Sequence, residues 1–366
     1  MSTRAGGGDR WPRRWSNLAS LWKRPQPVVG ATPHDVVHAE GKWRLLRYRP
    51  PTTASGAAVA QATRSPLLLV PSLINRHYVL DLQPGKSFAE WLVAHGHDVF
   101  VIDWGTPGDE DRYVTFDDVA DRALGRAIRR ACAVAGSERA HLLGYCLGGT
   151  LVVAHAAVRP ERVASIVALA APIGFADDGL LSAWTRSPTF DVGAMVDALG
   201  NAPTWLMQPA FHLLRPTLSL SKGVHLLDRA WDDAYLDGFL ALERWGNDNV
   251  AFPGEAYRTY VEQLYRGDGL LRGTFSLGGR PVRLEQITCP TLAVTFEHDN
   301  IVPWRSAAVL LDRISSAERE HIHMPGGHVG AVVSRKASET LWPQLSAWWA
   351  AHDQPVSPPA RAATTT

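Results

Sequence analysis

Residues 141–150 read His-Leu-Leu-Gly-Tyr-Cys-Leu-Gly-Gly-Thr and run on into Leu-Val-Val-Ala-His-Ala-Ala-Val through residue 158. An apolar run of strand length meets a Gly-x-Cys-x-Gly-Gly turn, and the turn opens a segment with helix-forming composition. A chain that reverses from strand to helix in so few residues brings the new helix close to the strand it left, so small residues are needed at Gly144, Gly148 and Gly149. Cys146 is then thrust above the strand end, with the helix N-terminus beneath its sulfur. The positive end of that helix favours thiolate, and the amide of Leu147 is placed to donate to an oxyanion.

A nucleophile set on such an elbow calls for an acid and then a histidine downstream, each after a later strand. The apolar run Thr291–Phe296 ends in Glu297-His298-Asp299, and Met324 is followed by Pro-Gly-Gly-His328. The order Cys146, Asp299, His328 is that of the α/β-hydrolase fold. His328 would take the thiol proton while Asp299 orients the imidazole and stabilises its charged form. Taken singly, Asp299 reads equally as a loop cap and His328 as a solvated loop residue. The second oxyanion amide is expected after the strand Leu67–Val70, at Ile74 or its neighbour Leu73. Asn75, Arg76, Tyr78 and Asp81 either brace that loop or simply cap a turn. Cys132 and Cys289 read as small buried apolar residues, His155 and His323 as core or surface histidines, and His298 receives no role.

Strand-length apolar runs alternate with helical segments along much of the chain, the mark of a mostly parallel α/β sheet. Strands are expected at Trp43–Arg49, Leu67–Pro71, Val99–Asp103, His141–Gly144, Ser165–Ala170, Thr291–Glu297 and His321–Met324. Helices are expected at Phe88–His95, Val119–Ala135, Gly149–Val158, Ser306–Ile314 and Ser334–His352. The alternation fails between Pro172 and about Gln286, where Trp, Pro and Gly accumulate. An insertion between late strands lies over the carboxyl edge of such a sheet, so it is read as a largely helical cap. The expected organisation is an N-terminal arm (1–42), the first part of the core (43–172), the cap (173–286), the second part of the core (287–352) and a disordered tail (353–366). Ala54–Ser65 reads as a surface loop.

Composition excludes several other classes. Lys+Arg (37) nearly balance Asp+Glu (36), and no basic cluster with interleaved aromatics argues for nucleic acid. Three cysteines without a CxxC pair or zinc-type spacing fit a reducing compartment, so a cytoplasmic protein with no metal is expected. The amino-terminal region has neither a signal-type apolar core nor a membrane-spanning run. Trp11, Trp15, Leu18 and Trp22 recur at roughly helical spacing beside Arg13, Arg14, Lys23 and Arg24. That pattern suits a short helix at an apolar interface and equally an arm packed on its own domain.

Beyond the generic fold, several stretches between about Trp43 and Trp349 resemble the polyhydroxyalkanoate synthase family. These are Ile74–Pro84 (INRHYVLDLQP), Val101–Gly105 (VIDWG), Gly144–Thr150 (GYCLGGT), Trp245–Asp248 (WGND) with Pro253-Gly254, Asp299–Trp304 (DNIVPW) and Gly326–Gly330 (GGHVG). The resemblance implies an acyltransferase that polymerises (R)-3-hydroxyacyl-CoA through an acyl thioester on Cys146, releasing CoA, with no cofactor beyond that substrate. It further implies that Asp299 helps activate the monomer hydroxyl, and that the protein is a homodimer associated with polyester granules. The short amino-terminal region is similar to the class that works with a second, non-catalytic subunit. Two positions depart from the family pattern. Asn300 stands where histidine commonly follows the aspartate, and Tyr145-Cys146-Leu147 is closer to the self-sufficient classes. Two alternatives remain open on sequence: a cysteine hydrolase or thioesterase with the same triad, and a non-catalytic granule-associated paralogue.

Overall fold

In the computed structural model the described residues are 10–49, 64–213 and 218–353. The strands of the main sheet are β1 (His34–Glu40), β2 (Trp43–Tyr48), β3 (Leu67–Val70), β4 (Val99–Asp103), β5 (Ala140–Tyr145) and β6 (Val163–Leu169), followed, after a small β7 (Ser276–Leu277) and β8 (Arg280–Pro281) ladder, by β9 (Thr291–Phe296) and β10 (Arg319–Met324). Their spatial order is β1-β2-β4-β3-β5-β6-β9-β10. β1 pairs antiparallel with β2 and β2 with β4; every other pairing in this sheet is parallel.

Every residue of β3, β5 and β9 is buried, as expected where helices cover both faces of a parallel sheet. Successive side chains alternate between two cores. Leu68, Val70 and Leu142 pack with the helices α3 (Leu124–Ala135) and α4 (Leu147–Val158) on one face. Leu67, Leu69 and Leu143 pack on the other face with α2 (Phe88–Ala94) and, beyond α12 (Trp304–Ala308) and α13 (Gly330–Val333), the long α14 (Arg335–His352). Burying each such leucine stabilises the fold by about 1.5–3 kcal/mol. α4 has no polar face at all: all twelve of its residues are buried.

The insertion between β6 and β9 is largely helical. It holds α5 (Leu180–Thr185), α6 (Val192–Leu199), α7 (Thr204–Leu213), α8 (Leu218–Arg229), α9 (Asp233–Asn247), α10 (Gly254–Thr259) and α11 (Gly269–Arg272), with a π-helical turn at Tyr260–Arg266.

The sequence reading needs correction in three places. The arm expected through residue 42 ends sooner, because β1 is an edge strand of the main sheet, joined to β2 through Gly41 (φ +56°) and Lys42. Its mixed sequence HDVVHAE, none of it fully buried, hid it. The helix expected at Val119–Ala135 begins as a π turn at Asp118–Ala123, and the one expected at Ser306–Ile314 is α12 plus a 3-10 turn at Val309–Asp312. Residues 354–366 of the expected tail, and residues 54–63 of the expected surface loop, lie outside the described residues.

The tryptophan-rich segment forms a helix, α1 (Arg10–Ser20), docked on the cap through its polar side. Arg14 donates to the Asp228 carbonyl at 2.7 Å, Asn17 to that of Ala230 at 2.8 Å, and Arg24 pairs with Asp233 and Asp237. Trp11, Trp15 and Trp22 face outward, 61%, 59% and 78% exposed.

Candidate active site

The elbow follows from steric constraints on its glycines. A Cβ at Gly144 would sit 2.3 Å from the Gly149 Cα, one at Gly148 would sit 2.0 Å from the Val70 carbonyl oxygen, and one at Gly149 would sit 2.3 Å from the Ala171 Cβ. With those three bare, α4 lies directly against β3 and β6. Between strand and helix, Cys146 adopts φ +57° and ψ −131°, a conformation side-chain-bearing residues rarely take. The first amide after it, that of Leu147, opens α4 and has no intrahelical partner.

Asp299 and His328 are delivered by the loops after β9 and β10. The His328 Nδ1 donates to the Asp299 Oδ2 at 2.7 Å, which leaves Nε2 for the thiol. The other Asp299 oxygen accepts the amides of Ile301 and Val302, each at 2.9 Å. Burial opposes charge on Asp299, but His328 and the two amides outweigh it and hold the carboxyl below its ordinary range. Burial would also lower the pKa of His328. Asp299, hydrogen-bonded to the ring, and the nearby Cys146 sulfur reverse that and raise it to about 10. The structure thus brings Cys146, His328 and Asp299 together.

Tyr145, to which the sequence reading gave no role, packs against the imidazole. It is buried, its hydroxyl donates to the His328 carbonyl at 3.2 Å, and its ring lies 5.1 Å from the imidazole. The only hint in sequence was an aromatic residue beside the nucleophile.

Ile74 lines the same cavity as Cys146 and Leu147. Its amide is only loosely engaged, 3.5 Å from the Ser72 Oγ, while its carbonyl accepts the Val250 amide at 3.2 Å. The loop that carries it is gripped by the cap. Asn75 donates to Asn249 at 2.6 Å, Arg76 and Tyr78 both reach Asp248, at 3.0 and 2.8 Å, and the Trp245 indole donates to the Arg76 carbonyl at 3.0 Å. Asp81 serves elsewhere, accepting from the Thr32 amide and hydroxyl.

The cavity, about 170 Å³, is lined by Cys146 and Leu147 from the core and by Trp184, Phe190, Met207, Phe252 and three tyrosines from the cap. A separate open cleft of about 720 Å³ is bordered by Asp177, Asp178, Glu297, Asp299, Asn300 and Trp304. The remaining histidines and cysteines stand apart. His155 bonds the Ala120 carbonyl and His323 the Thr295 hydroxyl. The His298 amide donates to the Gly326 carbonyl. Burial raises the pKa of Cys132, and pushes that of Cys289 up to about 11.

Comparison with known proteins agrees with the fold and with the family resemblance. Residues 65–333 match the alpha/beta hydrolase fold family, and residues 27–92 match the N-terminus of poly-beta-hydroxybutyrate polymerase. The chain is 35% identical over 322 residues to a poly(3-hydroxyalkanoate) polymerase subunit of Allochromatium vinosum, covering 87% of this chain and 89% of that one. It is 33% identical over 355 residues to the corresponding subunit of Haloferax mediterranei, covering 93% and 71%. Among solved structures, a soluble variant of monoglyceride lipase from Saccharomyces cerevisiae superposes with a TM-score of 0.55 at 13% identity, covering 91% of this chain and 98% of that one, a likeness of fold alone. With an alpha/beta hydrolase core, a polymerase-type amino-terminal segment and full-length relatives above 30% identity, this chain belongs to the poly(3-hydroxyalkanoate) polymerase family.

Proposed function

We propose that the protein polymerises (R)-3-hydroxyacyl units delivered as CoA thioesters, with Cys146 carrying the growing acyl chain. The observation that carries this reading is the convergence of Cys146, His328 and Asp299 at an apolar chamber roofed by the cap. In the first half-reaction, His328 takes the thiol proton and the sulfur attacks the thioester carbonyl. The oxyanion is held by the amides of Leu147 and Ile74, and CoA leaves as a thiolate that recovers the proton from His328. In the second, the hydroxyl of another hydroxyacyl group gives its proton to His328 and attacks the enzyme thioester. An ester forms and the Cys146 sulfur is released. Asp299 keeps the imidazole in the required tautomer throughout, and in this reading also helps activate the hydroxyl.

A thioester suits this role because it exchanges readily with the CoA thioester. It survives long enough for an alcohol to attack when water is excluded, and the apolar lining of the chamber favours that exclusion. Incubating the purified chain with 3-hydroxybutyryl-CoA tests the proposal: CoA release accompanied by polymer is expected, and Cys146→Ala abolishes both. Free hydroxyacid as the sole product replaces the polymerase reading with a hydrolase. Undiminished CoA release by Cys146→Ala removes the cysteine from the mechanism. A non-catalytic second subunit belongs to the same proposal, and polymer formed at full rate by the chain alone dispenses with it.

A further inference from the structure

The chamber is largely apolar, and apart from Thr185, whose hydroxyl donates to the carbonyls of Leu181 and Ser182, its hydroxyls come from one short stretch of the cap. Tyr257, Tyr260 and Tyr265 all line it together with Cys146. Tyr260 and Tyr265 lie five positions apart, and in a regular α-helix such residues point about 140° away from one another. Here the segment Tyr260–Arg266 is wound as a π-helix, whose wider turn pairs positions five apart and draws both rings to one side. The rings meet edge to face at 5.1 Å, and Phe175 packs against both, at 5.9 and 4.9 Å. A π turn that places two hydroxyls in an apolar chamber beside a nucleophile is a local cost with no packing purpose that phenylalanine would not serve as well.

We propose that the Tyr260–Tyr265 pair is the polar anchor of the acyl chamber, the Tyr265 hydroxyl donating to the 3-hydroxyl oxygen of the acyl group on Cys146 and so selecting 3-hydroxyacyl over unsubstituted acyl thioesters. The inference rests on the acyl-transfer reading above and deepens it. Burial raises the pKa of both phenols, and the nearby Cys146 sulfur adds to the effect, so both remain protonated donors. Tyr265 is the more deeply buried of the two, 7% exposed, so its hydroxyl is the one with least access to water. An acyl group without a 3-hydroxyl leaves that donor buried and unsatisfied, the arrangement by which a polar pocket rejects an analogue.

The test compares single-turnover CoA release from 3-hydroxybutyryl-CoA and butyryl-CoA by the full chain, its Tyr265→Phe variant and its Tyr260→Phe variant. A preference of the wild type for the hydroxylated thioester of about tenfold or more is expected, as one well-placed hydrogen bond allows. Tyr265→Phe should compress that ratio to within about twofold of one. Tyr260→Phe, which keeps the reading hydroxyl but loses its neighbour, should compress it less. Both substitutions keep the ring, so the packing against Phe175 is retained, and should one variant fail to fold the other still reports the ratio. A wild type that does not distinguish the two thioesters, or a Tyr265→Phe variant slowed equally on both, overturns the assignment while leaving acyl transfer standing. A wild type that releases CoA from neither thioester overturns the acyl-transfer reading itself, and the anchor with it.

Discussion

Gly148→Ala isolates the contact that sets the height of the nucleophile. The added Cβ would lie 2.0 Å from the Val70 carbonyl oxygen and 2.8 Å from that of Pro71, where ordinary contact begins at about 3.4 Å. β3 cannot yield, since Leu67–Val70 pairs with β4 on one side and β5 on the other at the centre of the sheet. α4 must therefore rise from the sheet by roughly 1 Å, and it carries Cys146 and the Leu147 amide with it. Overpacking of this kind costs about 1–3 kcal/mol, a loss of a few degrees in Tm. A displacement near 1 Å at the reacting atoms costs on the order of 10²-fold in rate. Turnover is followed as loss of the thioester absorbance of 3-hydroxybutyryl-CoA, and stability by thermal melting. Gly223→Ala is the comparison: it lies inside α8 with nothing within 4 Å of its Cβ, and should raise stability by about 0.5–1 kcal/mol without touching rate. A Gly148→Ala protein that melts like the wild type and keeps more than half its turnover would refute the claim that the α4–β3 approach positions the thiol.

Three further outcomes follow from the site. Tyr145→Phe removes the bond to the His328 carbonyl and should lower stability by about 1 kcal/mol and kcat several-fold with little change in KM; an unaltered kcat would show that Tyr145 does not position the imidazole. Asp248→Ala frees Arg76 and Tyr78 from the cap and should lower kcat about tenfold, less than the loss of an oxyanion donor outright; Asp248→Asn, which keeps an acceptor, should recover part of it, and equal defects in both would point to charge alone. His328 is raised from about 6.5 to about 10, so its stabilising contribution is complete below pH 6.5 and is lost as pH climbs toward 10. The stability gap between wild type and His328→Gln, measured by urea unfolding, should accordingly narrow across that window, and a gap that widens contradicts the sign.

The sheet was legible because strands buried on both faces leave continuous apolar runs, as at Leu67–Val70 and Thr291–Phe296. Edge strand β1 was not, because none of its residues is fully buried and its sequence carries no such run. The elbow and the two loops after β9 and β10 were readable because their chemistry sits at fixed places in the fold. The π turns at Asp118–Ala123 and Tyr260–Arg266 were not, since one extra residue per turn is decided by packing rather than by composition. For the same reason the tyrosines of the cap could not be assigned to the chamber, and Asp248 could not be seen as the residue holding the loop after β3. Sequence proximity says nothing of that contact, which spans 172 positions between Arg76 and Asp248.

The same division places the chemistry that distinguishes transfer from hydrolysis outside the triad. In the proposed mechanism Cys146, His328 and Asp299 would serve water and alcohol alike as attacking groups. What differs is the medium above the sulfur, and that medium is made by Trp184, Phe190, Met207, Phe252 and the tyrosines, all from the cap. The cap in turn is fastened to the loop bearing Ile74 through Trp245, Asp248 and Asn249, so the roof of the chamber and the amide proposed for the oxyanion are held by the same contacts. Asn300, where the chain departs from the pattern of its relatives, is exposed and borders the open cleft rather than the chamber. The Asp299 carboxylate is held by the amides of Ile301 and Val302 and by His328, none of which requires the side chain at 300.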